Sequence, residues 1–116
     1  MKKLTFQLSA RKKLEVNGEV FEILKNDTEV ITEAGKVEKK LRRLIAGVDE
    51  SERDSDESLE ILEYLTNSVD GMLGDGALMK ITGGRMPSMA ESIELYRLLT
   101  GAIVEIYEKD LTAKYE

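Results

Sequence analysis

The dipeptide Asn17-Gly18 sits between two short apolar alternations, Leu14/Val16 before it and Phe21/Ile23 after it. A two-residue type I′ loop needs positive φ at both central positions, and Asn-Gly meets that demand at little steric cost. A hairpin closed there sets Leu14 opposite Phe21 and Val16 opposite Glu19. Phe21 and Ile23 then share one apolar sheet face with Leu14 and Val16. Two strands alone are marginal in water, so a helix or a further strand has to cover that face. Leu4, Phe6 and Leu8 also alternate, which makes 4–8 a candidate third strand.

Beyond the hairpin the period changes from two to between three and four. Asn26 and Glu29 have the spacing of a capping box, with Asn in place of Ser or Thr. Val30, Ala34, Val37, Leu41, Leu44 and Val48 then form one apolar stripe, predicting a helix over 27–46 with Ile31 and Ile45 beside the stripe. The segment "GVDESERDSDE" is acidic and reads as an exposed linker, 47–56, with Ser55 or Asp56 capping a second helix. Leu62, Leu65, Val69 and Met72 make that helix's stripe, and Gly74 is a natural stop. The glycine-rich "GDGALMKITGGR" encloses one short helical segment, 77–81, with Asp75 as its expected cap. Ser88 and Glu91 complete a full capping box that opens a last helix over 89–111. The expected architecture is α+β and mainly α. A hairpin region, 1–25, precedes a helical region, 27–111, of three long helices and one short one, within a single domain spanning 1–116.

Composition narrows the chemistry. The 116 residues contain no histidine and no cysteine, which removes the usual acid–base, thiolate and zinc ligands. Carboxylate chemistry alone disfavours an enzyme, and no cofactor is expected. A net charge of −6 argues against a dedicated nucleic-acid binder. No run approaches the ~18 apolar residues of a membrane span, and the basic start is broken at Gln7 and Ser9 before it builds a leader's apolar core. A cytoplasmic address is the expectation.

Five features invite a site. Gly74-Asp75-Gly76 and Gly83-Gly84-Arg85 suggest an anion loop, yet no Gly-Lys-Ser/Thr and no G-x-G-x-x-G order is present, so they read as caps and turns. The acids Asp49, Glu50, Glu52, Asp54 and Asp56 lack the central glycine and ligand spacing of a calcium loop. The basic cluster between Lys36 and Arg43 could touch RNA or an acidic partner, but it interleaves with Glu29, Glu33 and Glu38, so ion pairs within the helix are expected to explain most of it. Met72, Met79, Met86 and Met89 are either flexible core filler or an adaptable surface for partner peptides. The last helix carries two apolar stripes. Ile93, Tyr96, Leu99, Ile103, Tyr107 and Leu111 make one, and Leu95, Leu98, Ala102 and Ile106 make the other. Either its own bundle buries both, or one stripe faces the core while the other takes a partner.

The stretch "LEVNGEVFEILKNDTEVITEAGKVEKKLRRL" resembles the tail assembly chaperones of long-tailed, siphovirus-type phages and prophages of Gram-positive bacteria. The later "VDGMLGDGALMKITGGRMPSMAESIELYRLLTGAIVEIYEK" is similar to their second half, where a D-x-x-L/F-G-x-G helix end precedes a short helix and a long terminal one. The resemblance is to a pattern of folding signals and includes no catalytic motif. It implies a non-enzymatic protein that binds the tape-measure protein and tail tube subunits during tail morphogenesis. Such a protein acts in the host cytoplasm and is absent from the mature virion. Self-association into a homo-oligomer is a further expectation. The alternative is a small acidic, phage-encoded regulatory module of anti-repressor or anti-restriction type, acting on a protein partner.

Overall fold

Positive φ at Asn17 (52°) and Gly18 (83°) turns the chain back after Val16. The computed structural model describes residues 1–46 and 55–115. It places β1 (Lys13–Val16) antiparallel to β2 (Glu19–Glu22), with Leu14 opposite Phe21 and Val16 opposite Glu19, the register set by the Asn-Gly loop. The Ile23 N–H donates to the Lys12 carbonyl at 2.8 Å and lengthens the ladder by one bond. Four helices follow among the described residues: α1 (Asp27–Ala46), α2 (Ser55–Leu73), α3 (Ala77–Thr82) and α4 (Met89–Tyr115). The fold is mainly α with an N-terminal hairpin, an α+β arrangement.

Helix starts follow local hydrogen bonding. The Glu29 N–H donates to Asn26 Oδ1 at 3.0 Å while the Asn26 N–H donates to Glu29 Oε1 at 3.2 Å. Ser88 and Glu91 repeat that reciprocal pair at 3.1 and 3.0 Å ahead of α4. Each box satisfies donors that a helix start would otherwise leave unpaired. Helix α2 begins at Ser55, and the expected cap by Ser55 or Asp56 rests on side chains outside the described residues. The acidic linker expected at 47–56, and Val48 with it, falls mostly outside the described residues.

Helix α3 is capped differently from expectation. Its flanking residue is Gly76, left-handed at φ 80°, and Asp75 makes no cap. The Asp70 carboxylate, at the end of α2, accepts from the Gly76 N–H at 3.1 Å and from the Leu78 N–H at 3.0 Å. The α2–α3 corner is thereby closed by a side chain from the preceding helix. Gly83 and Gly84 are also left-handed and return N–H bonds to Lys80 and Met79, so these glycines serve as caps and turns.

One apolar core joins the hairpin to the helices. Phe21 and Ile23 pack with Val30, Val37 and Leu41 of α1, Leu65, Val69 and Met72 of α2, and Tyr96, Leu99 and Ile103 of α4. Helix α4 lies against both α1 and α2, while α3 fills the corner between α2 and β2. The Leu24 N–H donates to the Met72 carbonyl at 2.7 Å and ties the end of β2 to α2. The expected third strand is not formed. The sheet has two strands, and residues 1–11 lie exposed outside it, with Leu4, Phe6 and Leu8 each about 85% exposed. A two-residue hairpin reversal between Leu8 and Leu14 would need Gly, Asn or Asp at positive φ, and "SARKK" offers none.

Candidate functional site

The hairpin's apolar face is covered on one side only. Phe21 and Ile23 reach the core, whereas Leu14 and Val16 on β1 are only half-buried. Beside them runs an open groove of about 650 Å³ between β1 and the first half of α4. Leu14, Glu15, Val16 and Asn17 form one wall. Four consecutive residues line it because the strand presents its edge there instead of one face. Leu95, Leu98, Leu99 and Ala102 of α4 form the opposite wall, and Ile81, Met86 and Pro87 close the end. Glu15, Glu91 and Glu94 give the rim an acidic character, with Arg85 the basic residue among the lining side chains.

Its walls are held by specific contacts. The Asn17 side-chain amide donates to the Ile81 carbonyl at 3.1 Å, which pins the turn to α3. Lys12 Nζ lies 3.3 Å from Asp110 and holds the start of β1 to the far part of α4. On the opposite side of α4, Arg97 donates through Nε and Nη2 to both oxygens of Glu38, at 2.9 and 3.0 Å. That bidentate pair fixes α4 against α1. The Ser88 backbone N–H holds the Glu91 carboxyl below the usual carboxylate range.

The first stripe of α4 faces the core: Tyr96, Leu99 and Ile103 are buried, and Ile93 and Tyr107 pack against them. Leu111 is exposed, and the helix runs a further turn beyond it, to Tyr115. The second stripe is split. Leu98 is 64% exposed on the groove, and Leu95 and Ala102 are half-buried in its wall. Ile106 is half-buried against the core and lies outside the groove. The four methionines do not form one surface. Met72 is 1% exposed at the centre of the core, so it offers nothing to a partner, because α2 turns its stripe inward. Met89 packs against that core, Met79 lies exposed on α3 away from the groove, and Met86 alone lines it. The groove therefore gathers Leu95, Leu98, Ala102 and Met86 from the expected partner-binding set. Sequence reasoning missed the edge of β1 and the rim acids. The half-satisfied hairpin face was the available signal.

Glu29 caps α1 as its spacing predicts, but Glu33 and Glu38 are committed off the helix, to Lys25 at 2.7 Å and to Arg97. Lys40 lies 4.0 Å over the Tyr64 ring. A second, polar cleft between α1 and α2 contains the Lys25–Glu33 pair together with Ser68, charges that already satisfy one another. Among the described residues no three His, Cys, Asp or Glu side chains are placed to hold a metal, and no helix is long and apolar enough to cross a membrane. Searches against protein-family models, curated proteins and solved structures returned no match to this chain.

Proposed function

We propose that this protein is a non-enzymatic tail assembly chaperone of a long-tailed phage or prophage, acting in the host cytoplasm. In this reading it receives apolar segments of the tape-measure protein in the groove between β1 and α4, and helps bring tail tube subunits to them. The observation that carries the reading is the groove itself, an apolar trough with an acidic rim that the chain's own residues leave open at Leu98. Exposed apolar surface bounded by charge is what a protein-binding site requires. The resemblance in the hairpin, the glycine-rich corner and the terminal helix supplies the identity of the client.

The test is capture of a tape-measure fragment by the full chain. The wild-type protein is expected to retain the fragment, and Leu98→Glu is expected to lose it with helicity and melting unchanged, since Leu98 contributes little to the core. Ile106→Glu is unsuitable for this purpose, because Ile106 packs against buried residues and a charge there destabilises the fold. Failure of the wild type to retain the fragment, with retention of a phage repressor instead, would transfer the role to the regulatory module.

A further inference from the structure

The amino-terminal arm and the groove are two incomplete halves of the same kind of structure. Leu4, Phe6 and Leu8 carry strand periodicity without a sheet, and all three stand about 85% exposed. Among the described residues β1 has a single strand partner, β2, and it presents its other edge along the groove. A free edge beside an apolar trough is the geometry that accepts an added strand, with backbone bonds to the edge and alternate side chains in the trough. The charges match as well. Lys2, Lys3 and Arg11 flank the apolar positions of the arm, while Glu15, Glu91 and Glu94 border the groove.

The arm of the same chain is badly placed to fill it. The Lys12 carbonyl is already bonded to the Ile23 N–H, and the Lys12 ammonium is paired with Asp110. Asp110 lies eight residues beyond Ala102, about 12 Å farther along α4 at the helical rise. The arm thus leaves the hairpin past the groove, and the intervening "SAR" has no Gly, Asn or Asp to supply the positive φ of a two-residue return.

We propose that the groove between β1 and α4 is the docking site for the N-terminal arm, residues 2–10, of a second copy of this chain. The arm adds to the free edge of β1 as a third strand and sets Leu4, Phe6 and Leu8 against Leu95 and Leu98. The contact is heterologous, since the surface given differs from the surface received. Two copies that exchange arms close a dimer, and copies that pass arms onward form a chain. This inference stands on the arm and the groove and does not require the client to be a tape-measure protein.

Sedimentation of the full chain over a range of concentrations, combined with two variants, tests it. Wild type is expected to self-associate. Phe6→Glu damages the arm and Leu98→Glu damages the groove. Both positions are exposed, so each variant is expected to keep the wild-type melting temperature and to sediment as a monomer, with association weakened at least tenfold. An equimolar mixture should recover a heterodimer, because the intact groove of one variant receives the intact arm of the other. A wild-type protein that stays monomeric throughout would overturn the proposal, whether the arm closes on its own chain or remains free. Association that survives Phe6→Glu, the signature of a symmetric α4 interface, would overturn it, as would a mixture that fails to associate. Capture of the tape-measure fragment by Phe6→Glu is read separately, so failure of the client reading and failure of arm docking give different results.

Discussion

Asn17 and Gly18 occupy the left-handed region together, and a β-branched side chain tolerates it poorly. A Cβ at Gly18 meets open space, so the penalty for Gly18→Val comes from the backbone and not from a clash. We expect this variant to lose about 1 kcal/mol or more, seen as a lower urea midpoint with unchanged slope. The α2–α3 corner supplies a sharper contrast between neighbouring acids. Asp70 accepts two backbone N–H groups, whereas Asp75 is exposed and caps nothing. Asp70→Ala is expected to cost about 1–2 kcal/mol, the scale of a lost helix cap, and Asp75→Ala to stay within about 0.5 kcal/mol. Equal midpoints for the two variants would take the cap away from Asp70, and a selective loss in Asp75→Ala would return it to Asp75. Capping boxes are legible in sequence because their partners lie three residues apart. The Asp70 cap was not, since it reaches six and eight residues forward across a break between two helices.

Among the elements, α1 and α4 are joined by charge as well as by packing. Partial burial alone would raise the Glu33 pKa, but hydrogen bonds from Lys25 and Ser68, with the charges of Lys25 and Lys36, bring it below its ordinary value. The Arg97 hydrogen bonds hold Glu38 below it too. Both carboxylates therefore bind protons less readily in the folded than in the unfolded chain. Their contribution is complete above the ordinary value of 4.5 and is lost as pH falls through the depressed folded values. The urea midpoint is expected to fall below about pH 4.5, and Glu33→Gln is expected to flatten that fall. An unaltered acid limb in Glu33→Gln would assign the loss to other carboxylates. The exposed Glu38–Arg97 pair is worth less than about 1 kcal/mol despite its bidentate geometry. The bounds of α1 were legible because one uninterrupted stripe and a cap define it. Its ion pairs were not, because they reach Lys25 and Arg97, residues off the helix that only tertiary packing brings near.

At the scale of the whole molecule, α4 divides the apolar surface between interior and groove. Its two stripes were readable from a period of 3.6 residues, but which of them meets the core depends on where α1, α2 and β1 sit around the helix. The stripe with Tyr96, Leu99 and Ile103 was taken by the core, and Leu95, Leu98 and Ala102 of the other stripe were left on the groove. Arm residues Leu4, Phe6 and Leu8 were equally readable as a strand, and what sequence left open was the partner strand. If one groove takes both a client segment and the arm of a second copy, the two compete. The apparent client affinity is then the intrinsic affinity reduced by the fraction of grooves that are free. At a concentration where half the grooves hold an arm, client binding is weakened about twofold, and more at higher concentration. Phe6→Glu empties the groove without altering it. Titration of a tape-measure fragment into this variant should therefore give tighter binding than into wild type, with the difference vanishing on dilution to the monomer. Equal affinities at every concentration would separate the client surface from the groove, because a site that no arm can occupy has nothing to gain from the arm's loss.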